Sequence, residues 1–274
     1  MVVWTAIIVA VFVWWFATGL ILMVARYADQ QGERARQVAT WAAVPVFVAG
    51  LWGYEMALSD ISVMGVYTAF FAALAIWGWI ELAFLTGIVT GPITKPLPAG
   101  ASELERFIRA WGTVAFHEIL LVAALIVLFL RGWGAENTFG MWTFVILYAA
   151  RISAKLNLFL GVPRVNVEFL PTPLLHLPSH FRVRKVNWMF PVSVSVLTLA
   201  IACWLERVVA AGSPEAVTGF TLLLTLTTLA LIEHWLMILP LPDAKLWRWM
   251  LPGDRPIREK FSPLAAQQED IHGL

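Results

Sequence analysis

Arg151 and Lys155 stand one helical turn apart inside an apolar stretch that begins near Phe139, and Asn157 follows two residues later. Glu81, His117, Glu118, Glu233 and His234 stand in other apolar stretches. A charge at the bilayer centre costs at least about 2.5–3.5 kcal/mol on insertion scales, so such groups face a protein interior and find partners there. These eight residues form the candidate buried polar cluster. Three chemistries fit them: a structural charge network, ligation of a pigment or metal by His117 or His234, and a proton relay.

Charge and spacing weigh on that choice. Glu81, Glu118 and Glu233 oppose Arg151 and Lys155, so one protonated histidine or one neutral carboxyl balances the set without a metal. His117-Glu118 and Glu233-His234 are adjacent pairs. Neighbours on a helix point about 100° apart, so both members of a pair seldom reach one ion. The Glu-x-x-His spacing of di-iron bundles is missing among these groups.

The elements that position them follow from composition. The chain has 274 residues, of which 60% are hydrophobic and 14% charged, and its mean hydropathy is +0.76. Soluble domains carry about 25% charged residues, so the fold class is all-α: a polytopic membrane helix bundle with the lipid bilayer around it. A net charge of +1 suggests no nucleic-acid partner, and the single Cys203 excludes an internal disulfide. No basic region precedes the first apolar run, so a cleaved signal peptide is not expected.

A core of about 30 Å needs about 20 helical residues. Seven runs meet that length, at about 2–25, 38–58, 62–89, 107–130, 139–160, 187–205 and 217–239, within a transmembrane domain spanning 1–252. Of the 19 basic residues, 14 fall on one side and only Arg131 and Arg207 on the other. The positive-inside rule then puts the N-terminus outside and the C-terminus in the cytoplasm. At about 1.5 Å per residue, Glu81, His117, Arg151, Lys155 and Glu233 lie about 8–15 Å from the cytoplasmic ends of their segments. Four helices thus place ionisable groups at one depth.

Two cytoplasmic stretches exceed simple connections. Loop 161–186 holds Pro163, Pro171, Pro173 and Pro178, which bar a long helix. Its apolar centre argues against a solvated or disordered loop, and makes Glu168, Phe169, Leu170, Pro171, Leu174 and Leu175 a candidate partner-docking segment. His176 and His180 share a helical spacing that Pro178 interrupts. After Pro240 an interfacial segment is expected, and residues 253–274 read as a polar, mobile tail. Most of the 15 tryptophans fall near segment ends, where indole favours the interface; Trp14, Trp15, Trp77 and Trp79 lie deeper and read as packing. No phosphate-binding glycine loop, nucleophile elbow or zinc-protease helix is present.

Several of these stretches carry a resemblance. Trp14-Trp15-Phe16-Ala17-Thr18-Gly19, Glu81-Leu82-Ala83-Phe84-Leu85-Thr86-Gly87, His117-Glu118-Ile119, the run from Ser153 to Val162, Glu168-Phe169-Leu170-Pro171, Glu233-His234 and Leu239-Pro240-Leu241-Pro242-Asp243 are similar to the PuhE-type family of photosynthetic complex assembly proteins. Phe116 and Ile80 depart from the family pattern, which often has a histidine at each place. The resemblance implies a multi-pass protein of the inner membrane, cytoplasmic or intracytoplasmic, in a phototrophic bacterium. It would serve assembly of the reaction-centre and light-harvesting complex and be tied to bacteriochlorophyll supply. Its expected partners are photosynthetic complex subunits or pigment-handling proteins, with bacteriochlorophyll, haem or a metal as the cofactors open to it. The resemblance carries over no catalytic residue. Two other functions stay open: a membrane enzyme, metal-dependent or not, acting on a hydrophobic pigment precursor, and a proton-coupled transporter. The transporter lacks the paired interrupted helices that mark such sites.

Overall fold

The computed structural model describes residues 1–165, 167 and 169–240. Glu168 and the tail from residue 241 onward, including 253–274, lie outside the described residues. The fold is all-helical: α1 (Val2–Gln31), α2 (Glu33–Ala42), α3 (Val44–Ala57), α4 (Val63–Leu85), α5 (Glu103–Gly132), α6 (Phe139–Leu160), α7 (Met189–Ala210) and α8 (Pro214–Leu236). Among the described residues the only β pairing is an isolated bridge between Val162 and Val183.

Among the described residues six helices, α1 and α4 to α8, are long and apolar enough to cross a membrane. The expected single span at 38–58 is a correction: the chain there forms two helices, broken at Ala43. Pro45 in the first turn of α3 is the cause. It has no N–H to donate backward, and its ring clashes with the carbonyl four residues earlier. Gly32, with φ at +96°, makes the corner between α1 and α2.

α4 is the axis of the bundle, touching α1, α3, α5, α6 and α8, while α8 packs on α1, α6 and α7. Helices in lipid gain little from hydrophobic association, so small residues that let backbones approach matter more. Ala6 and Ala10 of α1 are fully buried beside Leu222, Leu223 and Leu226 of α8. At Gly140 a Cβ would stand 2.9 Å from the Ala69 carbonyl and 3.0 Å from the Tyr54 ring, so only glycine lets α6 approach α3 and α4 this closely. Thr218, Thr221, Thr225 and Thr227 of α8 turn their hydroxyls onto carbonyls four residues back. Each thus satisfies a polar group that hydrocarbon would leave bare.

The loop after α6 folds onto one end of the bundle and caps it. Short 3-10 turns at Thr172–Leu174 and Leu177–His180 replace the long helix that its prolines forbid. Arg26 of α1 donates to the Leu170 carbonyl at 3.2 Å, and Asp29 accepts from the Thr172 amide and hydroxyl, each at 2.9 Å. The Arg164 amide donates to the Met237 carbonyl beyond α8. The buried Arg106 of α5 donates from Nη1 to the carbonyls of Phe159 and His180, both at 2.9 Å. Pro173 packs on Gly87, where a Cβ would approach to 2.5 Å. Leu174 is fully buried with Leu177 against Phe84 of α4. This corrects the expectation of a displayed docking segment: Leu174 and Pro171 are buried in the chain's own core, and Phe169, Leu170 and Leu175 are half-buried.

The cap contains two buried histidines. His180 Nδ1 lies 3.3 Å from the His176 carbonyl, and neither Nε2 has a hydrogen-bond partner. Burial pushes both imidazoles below their usual range, His180 with help from the nearby Arg109 charge. The unfolded cap binds protons near pH 6.5 while the closed cap does not. Cap stability is therefore complete above that pH and is lost as pH falls toward the lowered values. Hydrogen exchange across 172–181, corrected for intrinsic rates, is expected to show more frequent opening at pH 5.5 than at pH 7.5. Replacing both histidines with glutamine should remove the difference; a pH response that survives would assign it to other groups.

Candidate functional site

Beneath the cap, α4, α5 and α6 bring five of the expected residues together. Arg151 Nη2 lies 2.8 Å from Glu81 Oε2, and Lys155 pairs with Glu118. Arg151 and Lys155 share one face of α6 because four residues make one turn, so one helix serves two carboxylates on two others. His117 is fully buried, with Nε2 3.7 Å from Glu81 Oε1, outside hydrogen-bonding distance. Phe84 sits at the centre of this arrangement. Its ring centroid is 4.4 Å from that of His117, and the Arg151 and Lys155 head groups stand 5.7 and 5.8 Å away. The same ring carries Leu174 of the cap, so one side chain joins the cap to the charged pairs.

The backbone beside this cluster is irregular and satisfied. The segment after α4 crosses α5, where the His117 amide donates to the Thr90 carbonyl at 3.0 Å and the Ile93 amide to the Gly112 carbonyl at 3.1 Å. A Cβ on Gly91 would lie 2.1 Å from the Gly112 carbonyl, so no other residue fits. Irregular backbone at membrane depth survives only where protein partners cover it.

Asn157 and His234 belong to a second network, which closes on itself. Asn157 Nδ2 donates to the Ser153 carbonyl and to Ser193 Oγ, both at 2.9 Å, and Asn187 Nδ2 donates to Asn157 Oδ1 at 3.1 Å and to the Gly161 carbonyl at 2.7 Å. His234 Nδ1 donates to the Ala230 carbonyl at 2.8 Å, which fixes the tautomer and leaves Nε2 to accept from Ser153 Oγ at 2.8 Å. With both nitrogens engaged, His234 has no lone pair for a pigment or metal. His117 has both nitrogens unbonded and is fully buried against the Phe84 ring. Among the described residues no three His, Cys, Asp or Glu side chains are grouped to hold a metal ion.

Glu233 stands apart from these groups. It is exposed, its side-chain partner is Trp14 of α1, and it lies within electrostatic reach of Arg151. Sequence reasoning missed Trp14, Phe84, Ser193 and Asn187 as members of these networks. For Ser193 and Asn187 no sequence signal exists, since small polar residues near a helix start are ordinary.

The family described as "Protein of unknown function (DUF3623)" matches residues 1–258. The chain belongs to this family. A relative from Rhodobacter capsulatus, described as "Uncharacterized 30.4 kDa protein in puhA 5'region", is 51% identical over 250 residues, covering 91% of each chain. No solved structure matches.

Proposed function

We propose that this DUF3623 protein is a PuhE-type integral membrane assembly factor for the bacterial photosynthetic reaction-centre and light-harvesting complex, linked to bacteriochlorophyll supply. The observation that carries this is the relative's position in the puhA 5' region, within a photosynthesis reaction-centre gene cluster. The structure supports a non-catalytic role. Glu81 and Glu118 are paired with Arg151 and Lys155 between helices, and both nitrogens of His234 are engaged in the second polar network. Partners would engage the outer helix faces and the half-buried rim of the cap at Phe169, Leu170 and Leu175 rather than its buried centre.

The protein would sit in the inner membrane with seven crossings, α2 and α3 together supplying the seventh. At one end Thr40 bonds Thr86 just past α4; at the other, the Asn137 amide donates to the Leu58 carbonyl beside the turn before α4. The stretch from Thr40 to Leu58 therefore runs the length of α4. With the N-terminus outside, a cysteine at Ala135 should react with an impermeant reagent in intact cells and one at Gln31 should not. The reverse pattern would overturn the charge-based orientation.

The functional test is a deletion in a phototrophic bacterium that carries this gene. Assembled complexes should fall severalfold with no single pigment intermediate accumulating, and the wild-type gene should restore them. If one intermediate accumulates when Glu118 alone becomes Gln, the protein is an enzyme acting on a pigment precursor.

A further inference from the structure

We infer that the inner faces of α1, α4, α6 and α8 enclose a polar chamber beneath the cap, and that it binds an amphiphile with a zwitterionic head.

The chamber follows from exposure on faces that should be dry. Glu233 lies 11, 7 and 3 residues after Leu222, Leu226 and Ala230, which share one face of α8 and are buried. Ile232 and Trp235 are also exposed, about 100° and 160° around the helix from it on the outer side. Glu233 continues the inner face, yet it is exposed. Open space therefore lies in front of it, inside the bundle. α6 shows the same change: Phe144 is fully buried, while Arg151 and Lys155, 7 and 11 residues on, keep 29% and 25% of their side-chain surface exposed. On α1, Trp14 follows the fully buried Ala6 and Ala10 and bonds Glu233. Spaces between helices are where bundles build ligand sites.

The occupant follows from what is left unpaired. Arg151 pairs with Glu81 through Nη2, and its guanidinium, with 29% of the side chain exposed, has further N–H groups to offer. Lys155 pairs with Glu118 and has further N–H groups to offer. Those two pairs balance. Glu233 has no cation within ion-pair distance among the described residues, the nearest influence being Arg151. A purely anionic head would add an uncompensated charge at membrane depth, which is costly. A head with an anionic oxygen and an ammonium leaves the net charge unchanged. Its oxygen takes the spare N–H groups of Arg151 and Lys155, and its ammonium faces Glu233. Ile232, exposed one residue before Glu233, supplies apolar surface for the tail. Nothing in this inference depends on the assembly role, so either can fail alone.

Native mass spectrometry of the purified full-length protein in nonionic detergent tests it with three probes: lysophosphatidylethanolamine, lysophosphatidylglycerol with the same tail, and glycerophosphoethanolamine, which has the head but no tail. The expected result is at least tenfold tighter binding of lysophosphatidylethanolamine than of either other probe. Glu233→Gln should reduce its preference over lysophosphatidylglycerol to below threefold, while Glu206→Gln at the far end of α7 leaves it unchanged. Because the wild-type preference is itself decisive, an unstable Glu233 variant would not shelter the proposal. Equal binding of the two lipids, tighter binding of the anionic one, binding of the head alone, or a Glu233→Gln protein that keeps the preference would each overturn it.

Discussion

Replacing Arg151 with Leu is expected to destabilise the protein by about 3–5 kcal/mol, the cost of leaving one member of a buried ion pair alone. Glu81 Oε2 loses its partner at 2.8 Å, and Glu81 Oε1 already has none. His117, at 3.7 Å, does not replace the guanidinium. The site is partly open on the Arg151 side, so the effect should fall at the lower end of that range. Because stability of whole domains is itself only about 5–15 kcal/mol, membrane-inserted protein should drop severalfold. A Glu81→Leu, Arg151→Leu double variant should recover most of the level, since removing both charges can be neutral or stabilising. Quantifying the tagged proteins in membranes checks both. A double variant no better than Arg151→Leu would mean that the pair does more than balance charge.

The second large effect is expected at Leu174. Its side chain is fully buried between the cap and Phe84. Leu174→Ala should cost about 2–5 kcal/mol through lost transfer energy and the cavity left behind. That loss falls on the cap first, because Leu174 is the fully buried member of the cap's apolar contact with Phe84, where Leu177 is its buried neighbour. Limited proteolysis of the purified protein should cut within 161–186 far faster than in the wild type. The half-buried Leu175 serves as the control, and Leu175→Ala should change cleavage little. Wild-type resistance in Leu174→Ala would show that the cap is held by its polar contacts with Arg26, Asp29 and Arg106.

Six long membrane helices were legible in the sequence because the requirement behind them is one-dimensional: about 20 apolar residues in a row. That Glu81, Glu118, Arg151 and Lys155 face inward was legible for a similar reason, since the cost of a charge in hydrocarbon is paid residue by residue. Which carboxylate pairs with which cation was not. Depth put all of them at one level, but helix rotation and neighbour choice gave Glu81 to Arg151 and Glu118 to Lys155. The break at Ala43 was hidden because Pro45 sits in an unbroken apolar run, and hydropathy ignores the missing N–H.

His117 and His234 look alike in sequence, each beside a glutamate. Tertiary contacts made them opposites: Ser153 and the Ala230 carbonyl engage both nitrogens of His234, whereas His117 has neither engaged. The cap misled for a related reason. An apolar, proline-broken loop must cover something, and composition does not say whether that is a partner or its own bundle. Phe84 and Gly87 on α4 decide it, by offering Leu174 and Pro173 a surface only this fold creates. Sequence by itself determined the solvent, the helices and which polar groups cannot face lipid, because those are sums over local transfer costs. Pairing, saturation and the direction in which the loop folds depend on distances between segments far apart in the chain, and only the tertiary structure decided them.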